Sequence, residues 1–158
     1  MENQKEDFLQ YRFVDLLRQI PSDMLPHWGK MSLQQMVEHF TDTVKIASGK
    51  TSQQKLHPHN PEQLVKAHSF LMSDKPFKEN TPNPLLPEVP APVRNKTLKE
   101  ALNELQKEID YFFLVFNKNE HLLTRHFYFG DLNYQMNVQL LYKHALHHLR
   151  QFGVQLQP

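Results

Sequence analysis

The stretch DLNYQMNVQLLYKHALHHLRQFG, residues 131–153, predicts one helix of about five turns. Asp131 or Asn133 can cap its start, and Gly153 stands where a helix would end. Apolar residues recur between them at helical spacing: Met136, Leu140, Leu141, Ala145, Leu149 and Phe152. The fold and the function of the chain are both best interpreted from this helix.

Two histidines of this helix, His144 and His148, lie four residues apart and therefore on the same face. Gln151 joins that face one turn further on. Two imidazoles one turn apart can bind a single metal ion, which is half of a catalytic zinc site with its three protein ligands and open position. Because the chain has 10 histidines, such a pair also arises by chance. The spacing therefore needs support from another part of the chain.

The third ligand is expected from WGKMSLQQMVEHFTDTVKIASG, residues 28–49. Ser32 and Gln35 form a capping box, and Gly49 is suited to end the helix. The apolar stripe of this helix consists of Leu33, Met36, Val37, Phe40, Val44 and Ala47. His39 lies on the shoulder of the stripe, from which a side chain can point into the crevice between two helices. The alternative is a half-buried His39 that hydrogen-bonds to a neighbour.

The rest of the chain predicts two more long helices and a short one. Residues 6–20 are apolar at helical spacing, and residues 61–72 form a short helix that begins at Pro61. A capping box of Thr97 and Glu100 starts the other long helix, with a broad apolar stripe: Leu98, Ala101, Leu102, Leu105, Ile109, Phe112, Phe113 and Phe116. Residues 76–92 hold six of the 11 prolines and predict a long crossover loop. No strand pattern is convincing, so the predicted fold is an all-α four-helix bundle.

Composition bounds the class of protein. A chain of 158 residues with 39% hydrophobic content is expected to form a single helical domain, with its core at about residues 7–152. A net charge of +1, with both signs scattered, argues against nucleic acid as a partner. The absence of cysteine excludes disulfides, thiolate nucleophiles and cysteine zinc sites. The longest apolar run, residues 111–116, is too short to cross a bilayer, so we expect a cytoplasmic protein without a membrane partner.

Two motifs mark the entries to the histidine-bearing helices. The first reads Trp28-Gly29-Lys30-Met31-Ser32, and the second reads His126-Phe127-Tyr128-Phe129-Gly130-Asp131-Leu132. With these motifs the chain resembles the DinB/YfiT-like superfamily of metal-dependent enzymes, in the branch that has W-G-x-M-S and H-x-x-F-G-x-L. The resemblance covers residues 7–152, including the crossover, and departs at Phe127, where the branch has proline. Joint occurrence in this order is what makes the resemblance specific.

The resemblance implies a four-helix bundle of DinB/YfiT type with a metal at one end of an open cleft. In that superfamily one histidine on the second helix joins H-x-x-x-H on the last, often followed by x-x-Q. These positions are His39, His144, His148 and Gln151 in this sequence. Characterised relatives include thiol S-transferases that use bacillithiol or mycothiol, and a thiol-dependent isomerase. Separately, His126 and Tyr128 precede the last helix and are expected to line the cavity that it borders.

The leading hypothesis is a metal-dependent enzyme, a hydrolase or a protein like the thiol S-transferases. His39, His144 and His148 would bind a divalent cation, with zinc favoured and nickel or iron as alternatives. The metal would lower the pKa of a water or substrate thiol in the open position, and Gln151 would orient a ligand or donate to the substrate. The expected partner is a small-molecule substrate, with a low-molecular-weight thiol as a possible cosubstrate.

Two other interpretations stay open. The phenylalanine-rich stripe of residues 98–116 could exceed what one bundle buries, which would make the chain a non-catalytic module that acts through a homodimer or another protein. Alternatively, the histidines are ordinary polar residues between helices. His147 directly precedes His148, so its side chain is turned about 100° away from that of His148 on the helix and is expected to face solvent. His57 and His59, in a turn-rich stretch, are possible ligands but are expected to be exposed. Arg125 and Arg150 are candidates for binding an anionic substrate only by their proximity to the site in sequence.

Overall fold

The computed structural model describes residues 2–81 and 88–156, and these residues are mostly helical, as predicted. The elements in chain order are α1 (Glu2–Asp7, Phe8–Arg12 and Phe13–Arg18, continuous), α2 (Leu33–Ala47), α3 (Pro61–Met72), α4 (Leu98–Lys118), β1 (Thr124–His126), β2 (Gly130–Leu132) and α5 (Tyr134–Gln151). None of the helices in this part of the chain is both long enough and apolar enough to cross a membrane.

The two histidine-bearing helices begin with the caps that their sequences predict. In α2, the Ser32 hydroxyl accepts a hydrogen bond from the Gln35 amide at 3.1 Å, and Gln35 Oε1 accepts one from the Ser32 amide at 2.8 Å. In α5, Asn133 is the capping residue, since its Oδ1 accepts a hydrogen bond from the Met136 amide at 2.9 Å. These caps satisfy amides that the helix itself leaves unpaired, and so they define where each helix begins.

The cap of α4 is only half of the predicted capping box. The Thr97 hydroxyl accepts a hydrogen bond from the Glu100 amide at 3.1 Å, as expected. The Glu100 carboxylate, however, accepts its hydrogen bond from the Lys96 amide at 3.2 Å rather than from that of Thr97. The carboxylate therefore reaches one residue too far back to close the box.

Helix α1 differs from its prediction, because it begins earlier and contains a π-helical segment, Phe8–Arg12. The amide of Phe13 bonds to the carbonyl of Phe8, five residues back. A π-turn brings residues five apart onto the same face, and Phe8 with Phe13 and Leu9 with Val14 are two such pairs, all buried. The segment therefore keeps all four side chains in the core.

The main core lies between α1, α2, α4 and α5, each of which contributes buried apolar side chains. Helix α3 packs outside this core and shares a smaller cluster with α5 and the segment that precedes α5: Ala67, Leu71, Phe129, Leu132 and Leu140. The apolar stripe of α4 is largely buried inside the chain itself, because Phe112 and Phe116 are buried and Phe113 packs against the core. Tyr111 and Leu114 remain 38% and 48% exposed on α4. The homodimer stays a prediction.

A short hairpin corrects the all-α prediction. Strands β1 and β2 pair antiparallel, with Thr124 opposite Leu132. The Thr124 hydroxyl donates to the Ala47 carbonyl at 2.9 Å and accepts a hydrogen bond from Asn137 Nδ2 at 2.9 Å. These bonds fix the hairpin between the end of α2 and the start of α5. Each strand has only three residues, too few for a periodic pattern to reveal it in the sequence.

The proline-rich crossover is held to the helices at both ends, while its residues 82–87 lie outside the described part of the chain. At its start, the ring of Phe77 lies 6.0 Å from that of Phe70 on α3. At its end, the buried carboxylate of Glu38 on α2 accepts hydrogen bonds from the amides of Arg94 and Asn95 at 2.7 and 3.0 Å. The crossover therefore packs back on the helices next to His39.

Candidate metal centre

Helices α2 and α5 bring His39, His144 and His148 together, and we call these three residues the triad. One ring nitrogen of each lies within 4.8 Å of the other two. The Nε2 atoms of His144 and His148 are 2.8 Å apart. The His39 ring lies 5.4 Å, between centroids, from each of the other two rings. The three residues singled out in the sequence are thus close enough to bind one metal ion.

The donor set of the triad fits an ion of the first transition row. Zinc binds imidazole nitrogens at about 2.0–2.1 Å, which places two tetrahedral ligand atoms about 3.3 Å apart. The 2.8 Å between the Nε2 atoms of His144 and His148 requires only a small rotation of the rings to reach that spacing. Within residues 2–81 and 88–156, no fourth histidine, aspartate or glutamate joins the group. Three protein ligands leave one tetrahedral position for another molecule.

Gln151 determines which nitrogen of His148 is available to a metal. Its Oε1 lies 2.7 Å from Nδ1 of His148, and its Nε2 donates to the Trp28 carbonyl at 3.0 Å. Because the amide NH₂ faces Trp28, its oxygen faces His148, and Nδ1 of His148 must donate to it. The lone pair of His148 is then on Nε2, which points at His144. A second hydrogen-bonded residue of this kind orients metal-binding histidines in known sites.

Gln151 is itself held in place by the residues Trp28 and Gly29. Gly29 has a φ of +78°, and a Cβ at this position would lie 3.0 Å from Nε2 of Gln151. Any other residue would therefore strain the backbone and press on the amide. The His27 amide also donates to the Gln151 carbonyl at 2.7 Å. The glycine at position 29 is therefore suited to the close approach of the Gln151 amide.

Aromatic rings surround the triad. The ring of Phe40 on α2 lies 5.0 Å from that of His144, and the ring of Phe77 from the crossover lies 6.3 Å from it. Trp28 packs against α5, with its ring 5.4 Å from that of His147. Apolar rings exclude water and so weaken the competition of solvent with any ligand of the site.

Burial keeps the imidazoles of the triad neutral. It lowers the pKa of His144 and of His148 well below the usual range, and the charges of neighbouring histidines lower both further. Burial also lowers the pKa of His39, against an opposing effect of the Asp42 carboxylate. Metal binding requires an unprotonated nitrogen. The three histidines are thus in the form that can bind a cation at neutral pH.

His147 does not face solvent as expected, but lies half-buried beside the triad. Its ring centroid is 5.2 Å from that of His148, and its ring hydrogen-bonds to the backbone of Phe77. Burial lowers its pKa, as does the positive charge of Arg150. The crossover and Trp28 cover this side of α5 and remove His147 from water. Helical register alone predicts a direction for the side chain but not what packs against it.

His126 and Tyr128, expected to line the pocket, are not part of the triad group. Nδ1 of His126 accepts hydrogen bonds from the amides of Tyr128 and Phe129 at 3.0 and 3.2 Å, so it stabilises the hairpin turn. Burial lowers its pKa to about 4. Its ring is nevertheless near enough for its charge to lower the pKa of His144. Tyr128 is 41% exposed and borders a different group of histidines.

That second group is His57 and His59, which are half-buried rather than exposed. Their ring centroids are 4.3 Å apart with the ring planes tilted by 39°, and both rings contact the ring of Tyr128. Nδ1 of His57 and Nε2 of His59 are buried and have no hydrogen-bond partner in the described part of the chain. Together with Tyr128 they border a cavity of about 400 Å³. We call these two residues the loop pair.

A second cavity, of about 250 Å³, lies between α1, α5 and the residues that follow α3, and neither cavity is lined by a triad histidine. Arg150 borders the second cavity. Arg125, the other arginine near the site in sequence, instead binds the Asp131 carboxylate at 3.1 Å. The cleft that the resemblance implies is therefore not found in these two cavities.

Comparison with protein-family models, with curated proteins and with solved structures yields no match for this chain. The functional interpretation consequently depends on the geometry of the site itself.

Proposed function

We propose that this chain is a metal-dependent enzyme of DinB/YfiT type, a hydrolase or a thiol S-transferase, that binds a divalent cation at His39, His144 and His148. Zinc is the favoured metal, because three histidines with one open position are a known ligand set of catalytic zinc sites; nickel and iron are the alternatives, since imidazole also binds them. The observation that carries the proposal is the convergence of three ring nitrogens within 4.8 Å of one another from two different helices. The mainly helical fold with its long crossover is also consistent with that type.

The arrangement of Gln151 supports a metal-binding rather than a merely structural role for the histidines. A structural histidine pair needs only one hydrogen bond between its rings. Here the 2.7 Å bond from Nδ1 of His148 to Gln151 and the 3.0 Å bond from Gln151 to the Trp28 carbonyl also fix the tautomer. Nε2 of His148 then holds a lone pair, so the hydrogen on Nε2 of His144 occupies the space between them. A cation would replace that hydrogen.

A metal bound to the triad would lower the pKa of a coordinated water or thiol and supply a nucleophile near neutral pH. The chain's own residues provide the rest of the environment. Gln151 holds His148 in the binding tautomer, Phe40 packs against His144, and Phe77 and Trp28 exclude water from the side of His147. The substrate would be a small molecule, and a low-molecular-weight thiol is a candidate cosubstrate.

The proposal is tested by the metal content of the purified protein. Wild type, His39→Ala and His148→Ala are purified without a nickel column, loaded with zinc, desalted and measured by plasma mass spectrometry. His121→Ala is the matched control, because the His121 side chain is 90% exposed. We expect about one zinc per chain in wild type and in the control, and a loss of most of it in both triad variants.

Circular dichroism of each variant establishes that it is folded. A wild-type protein that cannot be loaded with zinc, nickel or iron would contradict the proposal. Equal zinc content in wild type and in folded His39→Ala and His148→Ala would contradict it as well.

A further inference from the structure

The cavity of about 250 Å³ next to α5 has a strongly positive lining. Four basic side chains border it, Lys5 from α1, Lys75 from the segment after α3, and Lys143 and Arg150 from α5, against one carboxylate, Asp74. The chain as a whole has a net charge of only +1. This concentration of cations is therefore a local feature of the cavity. Cavities lined by charge of one sign attract ligands of the other.

None of these four cations forms an ion pair in the part of the chain that the structure describes. Lys5 donates to Oε1 of Gln139 at 2.6 Å, and Lys143 donates to the carbonyls of Phe70 and Ser73 at 2.7 and 3.2 Å. Both lysines are thus held in place by neutral groups, and the nearby Asp74 carboxylate offsets part of the charge of Lys143 without forming an ion pair. With four basic side chains and one carboxylate, the lining keeps an excess of positive charge that favours an anion.

Arg150 stands apart from the other arginines. Three of them bind carboxylates: Arg18 with Asp15 at 2.8 Å, Arg94 with Glu104 at 2.9 Å and Arg125 with Asp131 at 3.1 Å. Arg12 lies over the ring of Phe8. Arg150 is half-buried and makes none of these contacts within residues 2–81 and 88–156. Its guanidinium presents a planar set of donors that fits a carboxylate or a phosphate.

The residues of α5 that line the cavity lie on a different face of the helix from the triad. Arg150 follows His148 by two residues, so the two side chains are about 200° apart around the helix axis. No triad histidine lines the cavity. An anion bound in the cavity would therefore occupy a site of its own.

We propose that this cavity binds the carboxylate or phosphate group of a small anionic ligand, with Arg150 and Lys75 as its main contacts. This site is separate from the triad, so the inference does not depend on metal binding by the triad. Lys143 and Lys5 contribute fixed positive charge at the cavity wall.

The test is calorimetric titration of metal-free protein with inorganic phosphate and, separately, with succinate, at ionic strength held constant with sodium chloride. We expect saturable binding of one molecule per chain for at least one of the two anions. Phosphate alone indicates a phosphate group, and succinate alone indicates a carboxylate. Arg150→Gln and Lys75→Gln should each raise Kd by about tenfold, the loss of one charge-assisted contact. Lys75 is exposed, so its variant retains the fold.

Two further variants make the outcome decisive. Arg125→Gln removes the same charge at a distance from the cavity and should change Kd less than about twofold. His39→Ala should bind the anion as wild type does. The test of the anion site therefore does not depend on whether the triad binds zinc. The proposal is overturned if wild type binds neither anion saturably, or if Arg125→Gln weakens binding as much as Arg150→Gln.

Discussion

The triad and the loop pair are both groups of neighbouring imidazoles, and they differ in what holds them. His144 and His148 are one turn apart on α5, and Nδ1 of His148 is 2.7 Å from Gln151. The loop pair lies in a segment without regular structure, with buried nitrogens on His57 and His59 that have no partner in the described part of the chain. The rings are therefore close together in both groups. Only in the triad does a hydrogen bond determine which ring nitrogen carries the lone pair.

The difference shows what turns a histidine cluster into a binding site. A helix fixes the separation of two side chains. A hydrogen bond to one nitrogen of an imidazole fixes the tautomer of that ring and leaves the lone pair on its other nitrogen. Neighbouring rings without such partners have buried polar atoms whose desolvation no hydrogen bond offsets. The following predictions test this comparison.

The largest expected effect is on zinc affinity. His144→Ala should weaken zinc binding by more than about a hundredfold, beyond the 10- to 100-fold effect of an outer hydrogen-bonding residue. His57→Ala should leave the affinity unchanged, because the loop pair supplies no ligand to the triad. Competition with a chromophoric chelator measures both. Equal weakening in the two variants would remove the distinction between the groups.

Gln151→Leu should weaken zinc binding by about 10- to 100-fold, since Nδ1 of His148 loses the acceptor that fixes its tautomer. Gln151→Glu keeps an acceptor at this position and should retain more of the affinity. The same competition assay applies, with near-ultraviolet circular dichroism as the control for packing around Trp28. If Leu and Glu behave alike, the hydrogen bond is not what matters at this position.

The buried carboxylate of Glu38, next to His39 on α2, predicts a pH dependence of the stability. Burial raises the pKa of Glu38, but hydrogen bonds from the amides of Arg94 and Asn95 and from the side chains of Gln34 and Asn95 outweigh it, so the pKa is lowered overall. A lowered carboxyl pKa stabilises the fold above the unfolded value of about 4.3, and this stability is lost as the pH falls through the folded pKa.

Glu38→Gln should therefore unfold at lower urea than wild type at pH 7, with a loss on the order of 1 kcal/mol, and the gap should shrink as the pH approaches 3. Urea titrations at pH 7, 5, 4 and 3 measure it. Asp110→Gln removes an exposed carboxylate of α4 and is the control. A gap that grows on acidification would show that the pKa of Glu38 is raised instead.

The smallest effect concerns the loop pair. His57→Phe replaces a buried nitrogen that has no partner in the described residues with a ring of similar shape. The free energy of unfolding of the metal-free protein should change by less than about 1 kcal/mol, towards greater stability. His148→Phe should be less stable than wild type, because Gln151 loses its partner. A strongly destabilised His57→Phe would mean that its nitrogen has an essential role.

The local sequence predicts the helices and the pair of His144 and His148, because helical spacing and capping act over four residues, whereas His39 was added from its position beside the apolar stripe of α2 and from the family resemblance. Ser32, Asn133 and Pro61 start their helices as expected, and His144 and His148 share a face. The hairpin was missed because its three-residue strands have no measurable period. The burial of His147 and the cation-lined cavity depend on contacts between α1, α5 and the crossover, which no local pattern specifies. The metal and the DinB/YfiT type remain predictions.

The most direct test of the central claim is a crystal structure of the zinc-loaded protein, with anomalous diffraction recorded on both sides of the zinc absorption edge. The account predicts a single strong anomalous peak about 2.0–2.1 Å from one ring nitrogen of each of His39, His144 and His148. It also predicts that Nδ1 of His148 still faces Gln151. A zinc peak at His57 and His59 with none at the triad, or a triad whose rings point apart, would contradict it.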